Sequence, residues 1–447
     1  MKQTDRNKKH VSAALFHFIL PISYKGETFK NLILFLQENQ FTRYILSKSQ
    51  NESGYYGTYQ VSHDDMETFF LPLTSQYLFP ASEDEIGFQR YTKGFSLNRL
   101  LIADHLNIPF KIHSIDLIIC PYELGFITVR AEINDIPFSH ALEFANSFRR
   151  KNFEDLLPDL SAFVDWDSPP PFFEPNKMQI QSLIHLTNDE SIDEIDLFRS
   201  ITLCNGDLGN NEYIINYVNE HSYNRWAPNT YIGLNDHCFT FLSNNGLDTK
   251  AKNFFGEFYY LQLIHLFNKL VFLKIAYNYS AIHIEKDYNA IEKLIYFINS
   301  FTSNFFFIEY PAKIEGQELF KLFKKAYNVD ELYTNTKETL FSLFKYEENS
   351  VTKKDSMLLL VLTIYTVICG IFSINLFTKD LAGKINWSHF KHYNPFEYFA
   401  VFIVFSGIIV VAILGIQSLF QVFQERKNKK QWDEQAVLSS KIPKNRN

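Results

Sequence analysis

Met357 to Phe377 reads MLLLVLTIYTVICGIFSINLF, without one charged residue. At about 1.5 Å of rise per residue it is long enough to span a hydrocarbon core of about 30 Å. A second uncharged run, YFAVFIVFSGIIVVAILGIQSLFQVF from Tyr398 to Phe423, follows a polar segment holding Lys379, Asp380, Lys384, Lys391, Asn394 and Pro395. Either run alone also suits a buried core helix. The pair, each ending in polar or charged sequence, favours a C-terminal two-helix transmembrane hairpin, with spans at 357–377 and 398–423 and an outer loop at 378–397. Lys353 and Lys354 precede the first run, and Arg426, Lys427, Lys429 and Lys430 follow the second. That bias expects a multi-pass cell-membrane protein with its N-terminus and C-terminus cytoplasmic.

Upstream, no proline stands between Pro311 and Pro395. Leu319, Leu322, Phe323, Ala326, Leu332, Tyr333, Thr336, Leu340, Leu343 and Phe344 keep a three-to-four spacing. One stalk helix over 311–377, about 65 residues and about 100 Å long, is therefore expected. Residues 251–310 are expected to form a helical hairpin, because Phe254, Phe255, Phe258, Leu261, Ile264, Phe267 and Leu270 are too apolar for a one-faced surface helix. Residues 1–165 read as an N-terminal α/β region, 166–250 as a linker and its continuation, and 424–447 as a basic tail. Val11 to Ile22 follows Lys2, Arg6, Lys8 and Lys9 and superficially imitates a signal peptide. His17 within it, the missing cleavage site, and Leu15, Phe16, Phe18 and Ile19 suit a buried strand better. Ile115–Ile119 and Gly125–Ile133 are expected strands, 139–153 a helix, 165–175 a proline-bearing loop, and Tyr231–Leu234 with Cys238–Leu242 a hairpin.

The chain carries 43 Lys plus Arg against 50 Asp plus Glu, a net −7. From Glu425 to Asn447 there are seven basic and three acidic residues, so the tail holds +4 and the remainder −11. Such a body argues against a nucleic-acid partner, whose phosphates require a basic face. Cys120, Cys204, Cys238 and Cys369 lack any CxxC spacing and read as reduced and structural. No GxSxG, Walker loop, HExxH or recognisable Cys/His pair occurs, so an enzyme is not expected.

The order of parts, and Gly370-Ile371-Phe372-Ser373-Ile374-Asn375 at the end of the first run, resemble the CorA-like divalent-cation transporter superfamily. Its members carry an aromatic-Gly-Met-Asn signature there, often after Gly-Ile. Gly370, Phe372 and Asn375 match; Ser373 and Ile374 depart from the glycine and methionine, and of the upstream Pro-Leu-Thr only Thr366 is kept. The resemblance implies a CorA-like funnel: an α/β cytoplasmic domain, long helices and the hairpin, assembled with itself as a pentamer in a lipid bilayer. It implies Mg²⁺ or another divalent cation as cargo, with no permanently bound cofactor.

On that reading Asn375, with the backbone at Ser373 and Ile374, holds a hydrated ion at the pore mouth, and Thr363 and Thr366 line the path below. Asn375 equally suits a residue that ends a helix. His389 and His392, three apart, could reach one metal, or belong to an interfacial loop with Trp387, Phe390 and Tyr393. Asp189, Glu190, Asp193, Glu194 and Asp196 form an acidic cluster that reads as a solvated surface or as a cation sensor. Divalent-cation transport is the leading expectation. A membrane-anchored cytoplasmic sensor or effector in stress or defence, without transport, is the alternative.

Overall fold

The structure, a computed structural model, describes residues 9–377 apart from 25–28, 48–49, 53–55, 84, 104–105, 152–169, 174–177, 188–189, 205–207, 283–287 and 308, together with 394–396, 398–399, 402, 405–406 and 409. Strands β1 (His10–Ser23), β2 (Thr42–Arg43), β3 (Asn51–Glu52), β4 (Val61–Ser62), β5 (Gln89–Ala103) and β6 (Leu106–Cys120) are joined by helices α1 (Phe29–Glu38), α2 (His63–Phe69) and α3 (Pro72–Leu78). Then come β7 (Leu124–Pro137), α4 (Phe138–Phe148), β8 (Gln179–Leu186), α5 (Glu194–Thr202), α6 (Asn211–His221), β9 (Ser222–Tyr223), β10 (Thr230–Leu234) and β11 (Cys238–Ser243). Helices α7 (Leu247–Phe255), α8 (Glu257–Ala281), α9 (Tyr288–Asn304), α10 (Ile314–Ala326) and α11 (Val329–Phe377) complete the order.

Nine strands form one sheet in the order β2-β5-β6-β7-β1-β8-β11-β10-β9. Every pairing is antiparallel except β8 with β11, which is parallel. Because successive side chains alternate in direction, β1 supplies two layers at once. Phe16 and Phe18 point to one face, where Phe18 meets Phe148 of α4 with ring centroids 4.3 Å apart and Phe110 meets Phe144 at 5.2 Å. His17 points to the other, against Phe254, Phe255 and Tyr259 of α7 and α8. Helix α8 is therefore buried around most of its circumference, from Phe258 to Ile275, as its apolar sequence requires. The turn between β6 and β7 places Tyr122 and Glu123 at φ of 63° and 59°, the left-handed pair that suits the twist of a tight hairpin.

The described residues divide into two compact units, one up to residue 337 and one from residue 338 onward. The expected unbroken stalk is interrupted: α10 ends at Ala326, Asn328 takes φ 54°, and α11 begins at Val329. Asparagine tolerates that left-handed conformation better than most residues, which is why the spacing of apolar residues did not reveal the break.

The membrane expectation is corrected here. Among the described residues no helix is long and apolar enough to cross a membrane. The second run, 398–423, falls mostly outside the described residues, as do most of the loop at 378–397 and all of the tail at 424–447. The two-helix transmembrane hairpin and CorA-like funnel, the multi-pass localisation with cytoplasmic termini, and divalent-cation transport are thus not supported. The membrane-anchored effector needs the same spans and falls with them.

Residues of the acidic cluster are occupied in holding the chain. Glu190 accepts from the His10 amide at 2.8 Å, Asp193 caps α5 by accepting from the Asp196 amide at 2.8 Å, and Lys9 bonds Asp196. Asp193→Ala is expected to cost about 1 kcal/mol of stability, the usual worth of an N-cap, measured by urea denaturation.

Candidate functional site

The sequence-derived pore residues do not converge on a described site. Thr363 and Thr366 donate their hydroxyls to the carbonyls of Leu359 and Leu362, each at 2.7 Å, so these groups are engaged by the helix's own backbone. Gly370 is exposed, with nothing within 4 Å of where a Cβ would stand. Phe372, Ser373, Ile374 and Asn375 belong to α11, which runs two residues past Asn375 to Phe377; their side chains lie outside the described residues. His389 and His392 lie outside them as well. Among the described residues no group of three or more His, Cys, Asp or Glu side chains could hold a metal ion.

The structure instead gathers charge inside the sheet, on the face beneath α7 and α8. Residues directly opposite one another on paired strands share a face. Gln181, His17, Arg130 and Ser114 form one such row across β8, β1, β7 and β6. Thr128, Asp116 and Thr92 form the next across β7, β6 and β5. Asp116 Oδ2 lies 2.6 Å from Arg130 Nη1 and 2.8 Å from Arg90 Nε, and Glu52 Oε1 lies 3.3 Å from Arg90 Nη2. Neither Asp116 oxygen receives a hydrogen bond of good geometry, so its attraction to the arginines is mainly Coulombic. Arg90 donates to Thr92 Oγ1 at 3.0 Å and to the Tyr260 hydroxyl at 2.9 Å, while the Tyr259 hydroxyl donates to Thr128 Oγ1 at 2.7 Å.

Tyrosine rings close the cluster. The Arg90 guanidinium lies 4.4 Å from the Tyr44 ring centroid, and that of Arg130 lies 4.7 Å from Tyr56 and 5.1 Å from Tyr259. Arg130, Asp116 and His17 have no exposed surface. Burial opposes the charge on Arg90, but Asp116 and Glu52 outweigh it and hold the guanidinium charged. Burial, and then Arg130, keep His17 neutral, far below the usual histidine range. Burial pushes the Tyr56 phenol well above its ordinary value and that of Tyr260 up to about 12. The two arginines and two carboxylates sum to zero, so the cluster is a neutral, closed ionic knot.

The signal for it was present in the sequence as charges inside apolar runs: Asp116, alone in Ile115–Ile119, and Arg130, which with Glu132 interrupts Gly125–Ile133. An ionised side chain in a buried strand requires a partner. What one sequence does not show is that the partners lie on neighbouring strands.

A second buried acid lies at the start of α8. Glu257 is 7% exposed, and burial pushes its carboxyl up to about 7 despite Lys313 at 3.3 Å. The folded state therefore binds this proton more tightly than the unfolded chain, with its value near 4.5. Stability from this group is complete below about pH 4.5 and is lost as the pH rises to about 7, by roughly 3 kcal/mol at most. Glu257→Gln is expected to flatten that decline and to raise Tm above the parent's at pH 8, with no gain at pH 4.5. Thermal melts across this range check it.

Comparison with protein-family models, with curated proteins and with solved structures finds no match to this chain. No relative therefore adds to the CorA-like resemblance carried by Gly370, Phe372, Asn375 and Thr366.

Proposed function

We propose that this chain is a non-catalytic assembly protein, a homo-oligomer of three or more copies joined along α11. The observation that carries this reading is the described apolar stretch of that helix. Met357, Leu358, Leu359, Leu360, Val361 and Leu362 are consecutive and between 42% and 72% exposed, and Ile364 and Val367 continue the surface. Consecutive helical residues are set about 100° apart, so these side chains occupy the full circumference. A two-stranded coiled coil covers only a narrow a/d seam and would leave most of them in water. Two or more neighbouring copies of the same helix cover them.

An enzyme reading draws no support from the knot, where Asp116 and Arg130 have no exposed surface. The test is light scattering coupled to size exclusion on the full-length protein, in water and in a mild detergent. A discrete species of three or more subunits in both is expected. A monomer in water, or a monomer whose helix is covered by detergent alone, overturns the proposal.

A further inference from the structure

Arg130 has no exposed surface, and only one of its nitrogens is fully used: Nη1 donates to Ser114 Oγ at 3.1 Å and faces Asp116. Among the described residues its Nε and Nη2 have no hydrogen-bond partner. His17 stands directly across the β1–β7 ladder from it. The tautomer of His17 follows from Gln181, whose amide nitrogen donates to the Phe254 carbonyl at 3.1 Å. The Gln181 carbonyl oxygen therefore faces His17 Nδ1, at 2.9 Å, and must accept from it. Nδ1 carries the hydrogen, and Nε2 is left as a bare lone pair, buried and without a partner among the described residues. The Tyr56 hydroxyl is also buried and without a partner. Its ring stacks near Arg130 and lies 4.8 Å from Phe255, which His17 touches at 5.1 Å.

Each unmet buried group of this kind keeps its desolvation cost without a bond to offset it, so three residues left in this state form an unfavourable arrangement. What relieves it must accept from the arginine and donate to the histidine. Charge decides between candidates. Arg90 and Arg130 are already balanced by Asp116 and Glu52, so an added ion would bring an uncompensated charge into the core, where it has no solvent to stabilise it. A neutral water loses little entropy on being held in place and makes about three hydrogen bonds. We propose that the core beneath Tyr56 is a built water site, at which at least one internal water accepts from Arg130 and donates to His17 Nε2, with the Tyr56 hydroxyl as a further partner.

The test is a high-resolution crystal structure of the full-length protein, with a second crystal soaked in bromide. The expected result is a density peak about 2.7–3.2 Å from Arg130 and from His17 Nε2, without anomalous signal from bromide. Direct contact of Arg130 with His17 or Tyr56 and no intervening peak overturns the proposal, and so does bromide at the site. In solution, ¹⁵N-histidine spectra of the unmodified protein are expected to show a neutral His17 protonated at Nδ1 and cross-relaxing with a long-lived water. Absence of that cross-relaxation counts against the water, and this measurement does not depend on a variant folding.

Discussion

Asp116→Ala is expected to destabilise the α/β body by about 3–5 kcal/mol, the usual consequence of removing one partner from a buried ionic network. The carboxylate stands between Arg130 Nη1 and Arg90 Nε, at 2.6 and 2.8 Å, and has no exposed surface. Its loss leaves two guanidinium groups facing each other with Glu52 as the one remaining counter-charge of the knot. Glu52, at 3.3 Å from Arg90 Nη2, does not form an ion pair with Arg130. Replacing the whole knot is a different experiment. Asp116→Leu and Glu52→Met with Arg130→Met and Arg90→Met removes all four charges together, and is expected to recover much of the loss, since an ion pair in a core gains little over well-packed apolar groups. Equilibrium urea denaturation of the three proteins separates the two effects. A single variant as stable as the parent would show that the carboxylate is not needed to neutralise the arginines.

The second large effect lies on α11. Leu359→Lys with Leu362→Lys places two charges in a stretch whose apolar side chains are otherwise open to solvent. If neighbouring copies bury these leucines, each lost side chain removes about 1.5–3 kcal/mol per subunit. Two of them amount to about 3–6 kcal/mol, or a roughly hundred-fold to ten-thousand-fold weaker association. Analytical ultracentrifugation is expected to show smaller species with helix content unchanged by circular dichroism. An oligomer of unaltered size and affinity would place the contact elsewhere.

The strands were the most legible part of the chain because burial leaves a compositional mark. The Val11–Ile22 run, the pair around Tyr122 and the hairpin around Asp236 all lie within observed strands, and the helix expected over 139–153 is observed as Phe138–Phe148. Sheet order was not legible, since nothing local in Gln179–Leu186 says that it pairs antiparallel with β1 and parallel with β11. The break at Asn328 was missed because one left-handed residue leaves the apolar spacing nearly intact. The membrane reading came from Met357–Phe377, where an uninterrupted apolar run looks alike whether lipid or protein covers it. The ionic knot was hidden because Glu52, Arg90, Asp116 and Arg130 are spread over β3, β5, β6 and β7.

The position of β1 bears on how the chain is made. Among the described strands it is the earliest in the chain, yet its partners in the sheet, β7 and β8, begin at Leu124 and Gln179. Synthesis proceeds at about 5–20 residues per second, so β1 waits on the order of ten seconds for the first partner and longer for the second. During that interval Leu15, Phe16, Phe18 and Ile19 have neither neighbouring strand to shield them. Such long-range pairing slows folding and exposes an aggregation-prone strand. The nascent chain is therefore expected to be a chaperone client until residue 186 has emerged, a demand set by where the sheet places its first strand.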